Sequence, residues 1–179
     1  MNQRTLVNTS IVIRTGIFGQ VINIYSCSMS SRFAIMGDIV VGIDLGTTYS
    51  CVSAVLNGKP TVIPNEWGEL IHASIVSFLD DGSVVVGNAA KRSIVTNAEN
   101  TVYSAKRLIG RYFFSDEVRK AQGAMPYKVV EGPGNSVRIK VHGDTYSLPD
   151  IAALVLKEMK AIAETYLNQP VTKAVITVP

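Results

Sequence analysis

Apolar residues recur along the chain with two periods, and those periods divide it into short strands and one long helix. Ile39 to Asp44 and Ser50 to Leu56 are apolar runs of strand length joined by a short polar turn, together reading IVVGIDLGTTYSCVSAV up to Val55. Asn57-Gly58 then signals a hairpin, because both residues tolerate the positive φ of a tight primed turn. A third strand, Thr61 to Ile63, is expected to pair back. Ile75 to Leu79, an Asp81-Gly82 turn and Val84 to Val86 predict a second hairpin, with helical character over Asn88 to Ile94 and Thr101 to Ile109 and a stop at Gly110. Ser115 to Gln122 predicts a helix, and Tyr127 to Val130, Val137 to Val141 and Thr145 to Ser147 predict three strands of a small mixed subdomain.

The long helix is expected over Leu148 to Leu167. Ser147 is placed to cap it, Asp150 follows three residues on, and Pro149 sits in the first turn where its missing amide costs little. Ile151, Leu154, Val155, Met159, Ile162 and Tyr166 form its apolar stripe, which implies packing against a sheet. Gln169-Pro170 ends it. Ala174 to Val178 is apolar except for Thr177, the pattern of a strand buried on both faces and reached by a parallel return through the helix.

Composition narrows the function classes. With 47% hydrophobic residues in 179, the chain can bury a substantial core. Its formal charge of +3 comes from Arg4, Arg14 and Arg32, since the residues from Met36 onward hold 14 basic and 14 acidic side chains. The body therefore carries no basic surface that argues for nucleic acid, and no segment approaches a membrane span. Cys27 and Cys51 stand in no metal-ligand spacing and suit a reducing compartment. Residues 1–35 contain no acid, three arginines and eight serines or threonines. They are set apart as an extension, expected to be disordered and dispensable for folding. A wrongly extended start, with Met36 the initiator, implies a cytoplasmic protein, whereas an organellar transit peptide would share this composition and lead to an organellar matrix.

Candidate chemistry gathers at the turn between the first two strands. Binding a phosphate takes several converging backbone amides, and small residues let the backbone approach closely. Gly46, Thr47 and Thr48 supply such a turn with two hydroxyls, and Asp44 puts a carboxylate beside it that can hold magnesium directly or through water. An ordinary hairpin turn uses the same residue types. The mononucleotide P-loop pattern and the dinucleotide glycine fingerprint are both absent, so a nucleotide bound here uses another fold.

VGIDLGTTYSCV resembles the first phosphate motif of the DnaK-type heat-shock protein 70 chaperones. VGNAAKR (Val86 to Arg92), NTVYSAKRLIGR (Asn100 to Arg111) and VTKAVITVP (Val171 to Pro179) resemble further segments of that family, in its order and at compatible spacing. The resemblance covers Gly37 to Pro179. It implies an α/β protein with part of an actin-like ATPase (ribonuclease H-like) fold: a first-lobe mixed sheet with helices plus a small α+β subdomain, over residues 36–179. It also implies ATP/ADP and Mg2+ as cofactors. Asp44 would bind the metal's water shell, Gly46, Thr47, Thr48 and Tyr49 would contact phosphates, and Lys106 would be the catalytic lysine that orients the attacking water and the terminal phosphate. Such a role suits phosphoryl transfer, which is mainly positioning and charge neutralisation. A solvated helix cation is the plain alternative for Lys106. Pro179 matches a proline that relays nucleotide state between domains, and a strand terminator is its plain alternative.

The family's G-x-R-T-T-P-S segment reads Gly68-Glu69-Leu70-Ile71-His72-Ala73-Ser74 here, which puts its cleft-side contacts in question and makes His72 a local substitution. Tyr112, Phe113 and Phe114 are expected to pack the small subdomain. The second phosphate motif, the adenosine-binding segment and the peptide-binding domain of the family would lie beyond Pro179. The expectation is therefore a truncated lobe of an ATP-driven folding chaperone that does not turn over alone. Its full-length parent would engage unfolded or extended polypeptides, a J-domain co-chaperone and a nucleotide-exchange factor. With its last strand at an open sheet edge, this chain is expected to self-associate. An actin-like filament ATPase shares the turn but would not be expected to carry AKRLIGR, and a regulatory or binding-only protein without hydrolysis is the third reading.

Overall fold

The computed structural model describes residues 10–15 and 39–178. Its main sheet holds β1 (Ser10–Thr15), β2 (Val40–Leu45), β3 (Tyr49–Leu56), β4 (Lys59–Val62), β5 (His72–Ala73) and β12 (Lys173–Val178), in the order β1-β12-β2-β3-β4 with β5 beside β3. A second sheet pairs β6 (Ile75–Phe78) with β7 (Val84–Val86) and β8 (Thr101–Tyr103). The third joins β9 (Lys128–Gly132), β10 (Ser136–Val141) and β11 (Asp144–Ser147). The helices are α1 (Ser93–Thr96), α2 (Asp116–Ala124) and α3 (Leu148–Leu167).

β2 and β3 are antiparallel, and their alternation sorts side chains onto two faces. Val41, Ile43 and Leu45 stand opposite Ala54, Val52 and Ser50, and all six are buried. Ile151, Val155, Met159 and Ile162 of α3 share that core. α3 starts where expected: Ser147 Oγ accepts from the Asp150 amide, and the Asp150 carboxylate accepts from the Ser147 amide at 2.8 Å, a complete capping box. Asn57 and Gly58 both take positive φ (51° and 76°), as a type I′ hairpin requires.

Five expectations are corrected. Of the three aromatics expected to pack the small subdomain, Phe113 lies against the core while Tyr112 and Phe114 are exposed. Thr101–Tyr103 is a strand, and helical structure resumes only as a 3-10 turn over Ala105–Leu108, because Ser104 takes the left-handed conformation (φ 55°) and breaks the helix. Tyr166 is 48% exposed and leaves the buried stripe of α3. In β12 only Ile176 is buried among residues 173–177: it and the partly buried Ala174, alternate positions on one face of the strand, join the core. Finally, β12 does not stand at an open edge: Ser10–Thr15, within the segment set apart as an extension, pairs along it in parallel register. This run of β-branched residues suits a strand edge that offers unpaired amides and carbonyls. The remainder of residues 1–35, Met36 to Asp38 and Pro179 lie outside the described residues.

Candidate functional site

The turn between β2 and β3 is built from its glycine. A Cβ on Gly46 would lie 2.0 Å from the Tyr49 carbonyl oxygen, so only glycine lets the backbone fold back this tightly. Ser74 then fixes the turn from outside: its hydroxyl donates to the Gly46 carbonyl at 2.8 Å and its amide to the Thr48 carbonyl at 2.9 Å. The same hydroxyl lies 2.9 Å from Ser50 Oγ. With two of its carbonyls engaged, the turn offers an anion chiefly donors, its amides and the hydroxyls of Thr47 and Thr48. Ser74 itself is held because Asn88 clasps the preceding segment, accepting from the Ala73 amide and donating to the Ile71 carbonyl, both at 2.9 Å.

Asp44 lies on the exposed face of β2, opposite Thr177 of β12 in parallel register, and Thr177 Oγ1 donates to Asp44 Oδ1 at 2.8 Å. Lys106 reaches the same place from the 3-10 turn. Its ammonium donates to the Leu45 carbonyl, between Asp44 and Gly46. Burial pushes the Lys106 ammonium below lysine's ordinary pKa, and the Asp44 carboxylate pulls it back in part. The left-handed Ser104 turns the chain so that Lys106 leaves the direction of β8, and Tyr127 braces that region by donating to the Tyr103 carbonyl at 2.6 Å. Burial raises the Tyr127 hydroxyl far above its usual pKa, so it remains a donor throughout the accessible range.

Thr47, Thr48 and Tyr49 open on the other side into a cavity of about 370 Å³, which Ser74, Lys91 and Ser104 also line. That volume lies within the range of small-molecule sites. Lys91 Nζ sits 5.2 Å from the Tyr49 ring centroid and brings a second cation to the turn. The structure thus gathers Asp44, Gly46, Thr47 and Lys106, and places Thr48 and Tyr49 on the adjoining cavity wall. Pro179 lies outside the described residues. Ser74, Thr177 and Lys91 were not assigned from the sequence: Ser74 closes the 68–74 loop that departs from the family's pattern, whereas Thr177 lies in VTKAVITVP and Lys91 in VGNAAKR, both segments that resemble the family.

Among the described residues no group of three or more histidine, cysteine, aspartate or glutamate side chains comes together to hold a metal. At the turn the acidic group present is the exposed Asp44 carboxylate, with the Thr177 hydroxyl donating to one of its oxygens.

His72 pairs with Ser50 across β5 and β3, is 2% exposed, and its Nε2 has no hydrogen-bond partner. Burial lowers its pKa, against a smaller opposing pull from Glu69. A folded-state pKa below the unfolded value of about 6.5 means that the unfolded chain takes up a proton first, so stability is lost as pH falls from neutral through that window. His72→Gln should flatten the decline. Urea unfolding at pH 7.5 and pH 5.5 checks this, and an unchanged slope in the variant would show that His72 does not carry it.

A protein-family model described as Hsp70 protein matches residues 40–179, a span that includes the phosphate turn, Ser74, Lys91, Lys106 and the whole of α3. The match covers most of the chain, and the mixed α/β architecture is consistent with part of an actin-like ATPase fold, so the chain belongs to the Hsp70 family.

Proposed function

We propose that this protein binds ATP and ADP with Mg2+ at the 44–49 turn, and that Lys106 serves hydrolysis there. The observation that carries the reading is the convergence at Leu45 of a glycine-dependent turn (Gly46) on one side, an exposed carboxylate (Asp44) on the other, and the partly desolvated Lys106 ammonium on its carbonyl. The Thr47 and Thr48 hydroxyls and the turn amides would hold phosphate oxygens. Asp44 would orient a hydrated magnesium, whose chemistry is to neutralise charge on the phosphates. Lys106 would give up the Leu45 carbonyl for the terminal phosphate and the attacking water, stabilising charge that develops as the bond breaks. Nucleotide state would then govern affinity for unfolded polypeptides elsewhere in the assembled chaperone, with a J-domain co-chaperone and an exchange factor setting the pace.

Thr48, Tyr49 and Asp44 are exposed, so this chain presents one wall of the site. Catalytic preorganisation needs water excluded and donors on both sides of the phosphates. The chain alone is therefore expected to bind ATP weakly and to release phosphate no faster than background. Titration calorimetry and a phosphate-release assay test this. Steady turnover by the isolated chain would overturn the one-wall reading, and no detectable interaction at millimolar ATP would count against the site itself.

A further inference from the structure

We propose that the groove between the Asn65 to Glu69 turn and the C-terminal half of α3 docks an arginine side chain presented by a partner polypeptide. The groove encloses about 240 Å³ and is lined by residues that include Pro64, Glu66, Trp67, Glu158, Ile162 and Tyr166. Trp67 is 72% exposed, although burying an indole is among the larger gains open to a folding chain. The loop that presents it is fixed: Asn65 Oδ1 accepts from the amides of Trp67 (3.1 Å) and Glu69 (2.9 Å), and Asn65 Nδ2 donates to Glu69 Oε2 at 2.7 Å. The indole is therefore held in the open by a rigid turn.

Charge complementarity names the occupant. Among the described residues neither Glu66 nor Glu158 forms an ion pair, and the nearby Lys160 is committed to Glu164 at 3.4 Å. Burial and, after it, the charge of Glu66 push the Glu158 carboxyl above its usual pKa. A guanidinium answers each feature: its flat face stacks on the indole, its edge donates to carboxylates, and its methylenes lie on the apolar lining. An ammonium lacks the flat face. The groove shares no lining residue with the cavities at the 44–49 turn and Lys106, and its proposed role does not rest on nucleotide binding.

Trp67 is the only tryptophan, so its fluorescence reports the groove directly. The full chain is titrated with a blocked Gly-Gly-Arg-Gly-Gly peptide and with the same peptide carrying neutral citrulline. A saturable change in emission with the arginine peptide alone is expected, weakened about fivefold by Glu158→Gln and by Glu66→Gln, each checked for native circular dichroism. Glu66 lies on an exposed turn, so its variant keeps the test valid if Glu158→Gln unfolds. Equal responses to arginine and citrulline, no saturable response, or an affinity indifferent to the carboxylate that can be replaced without unfolding would each overturn the proposal. So would emission that changes with protein concentration alone, since a second copy would then fill the groove.

Discussion

Gly46→Ala is expected to abolish ATP binding and to destabilise the fold by about 3 kcal/mol, the scale of a severe steric insertion. The new methyl would meet the Tyr49 carbonyl oxygen at 2.0 Å, and that atom is backbone, so no rotamer change relieves the clash. Either the turn opens or β3 shifts. Opening the turn moves the Gly46 and Thr48 carbonyls away from Ser74 and scatters the donors that the turn holds together. Shifting β3 disturbs Val52 and Ala54, which pack in the core with α3. Both routes damage stability and site together. Thermal unfolding and an ATP titration of the same variant check this, and a variant with wild-type midpoint and affinity would show that the close approach at Gly46 is not needed.

Lys106→Ala should lower hydrolysis by about 10²- to 10³-fold while leaving nucleotide affinity within a few fold, in a form of the protein that carries both walls of the site. The separation follows from geometry. Lys106 stands at the start of the turn beside Asp44, whereas Thr48, Tyr49, Ser74 and Lys91 line the adjoining cavity and remain in place in the variant. Losing the ammonium therefore removes charge stabilisation at the reacting phosphate more than it removes contacts to the ground state. The fold should tolerate the change, because Lys106 is half-buried and its hydrogen bond to Leu45 lies at the rim of the core. Single-turnover hydrolysis and direct binding measurements separate the two effects. Unchanged hydrolysis would remove Lys106 from the mechanism.

Much of this architecture was legible in local patterns. The α3 boundaries followed from Ser147, Pro149 and Asp150, since a capping box is made by neighbours in sequence. The β3–β4 hairpin followed from Asn57-Gly58 for the same reason. What escaped depended on distant contacts. Nothing local indicates that Ser104 is left-handed, and that one dihedral converts an expected helix into a strand and a 3-10 turn. Tyr166 fits the apolar period of α3, yet its place in an open groove is set by a loop about a hundred residues earlier. The burial of β12 was overestimated because an apolar strand does not report whether its second face is covered. At the site, the turn residues, Asp44 and Lys106 were picked out by motif. Ser74 and Thr177 became visible only once β5 and β12 had placed their hydroxyls on the turn and on Asp44.

Phosphate is expected to bind at the 44–49 turn, and amide NMR of the isotope-labelled chain titrated with Mg2+ and ATP shows directly whether it does. The predicted result is a set of concentration-dependent shifts at Gly46, Thr47, Thr48 and Ser74, with the Lys106 side chain following and the amides around Trp67 still. Shifts that spare the turn, or that appear only at the Trp67 groove, would contradict it.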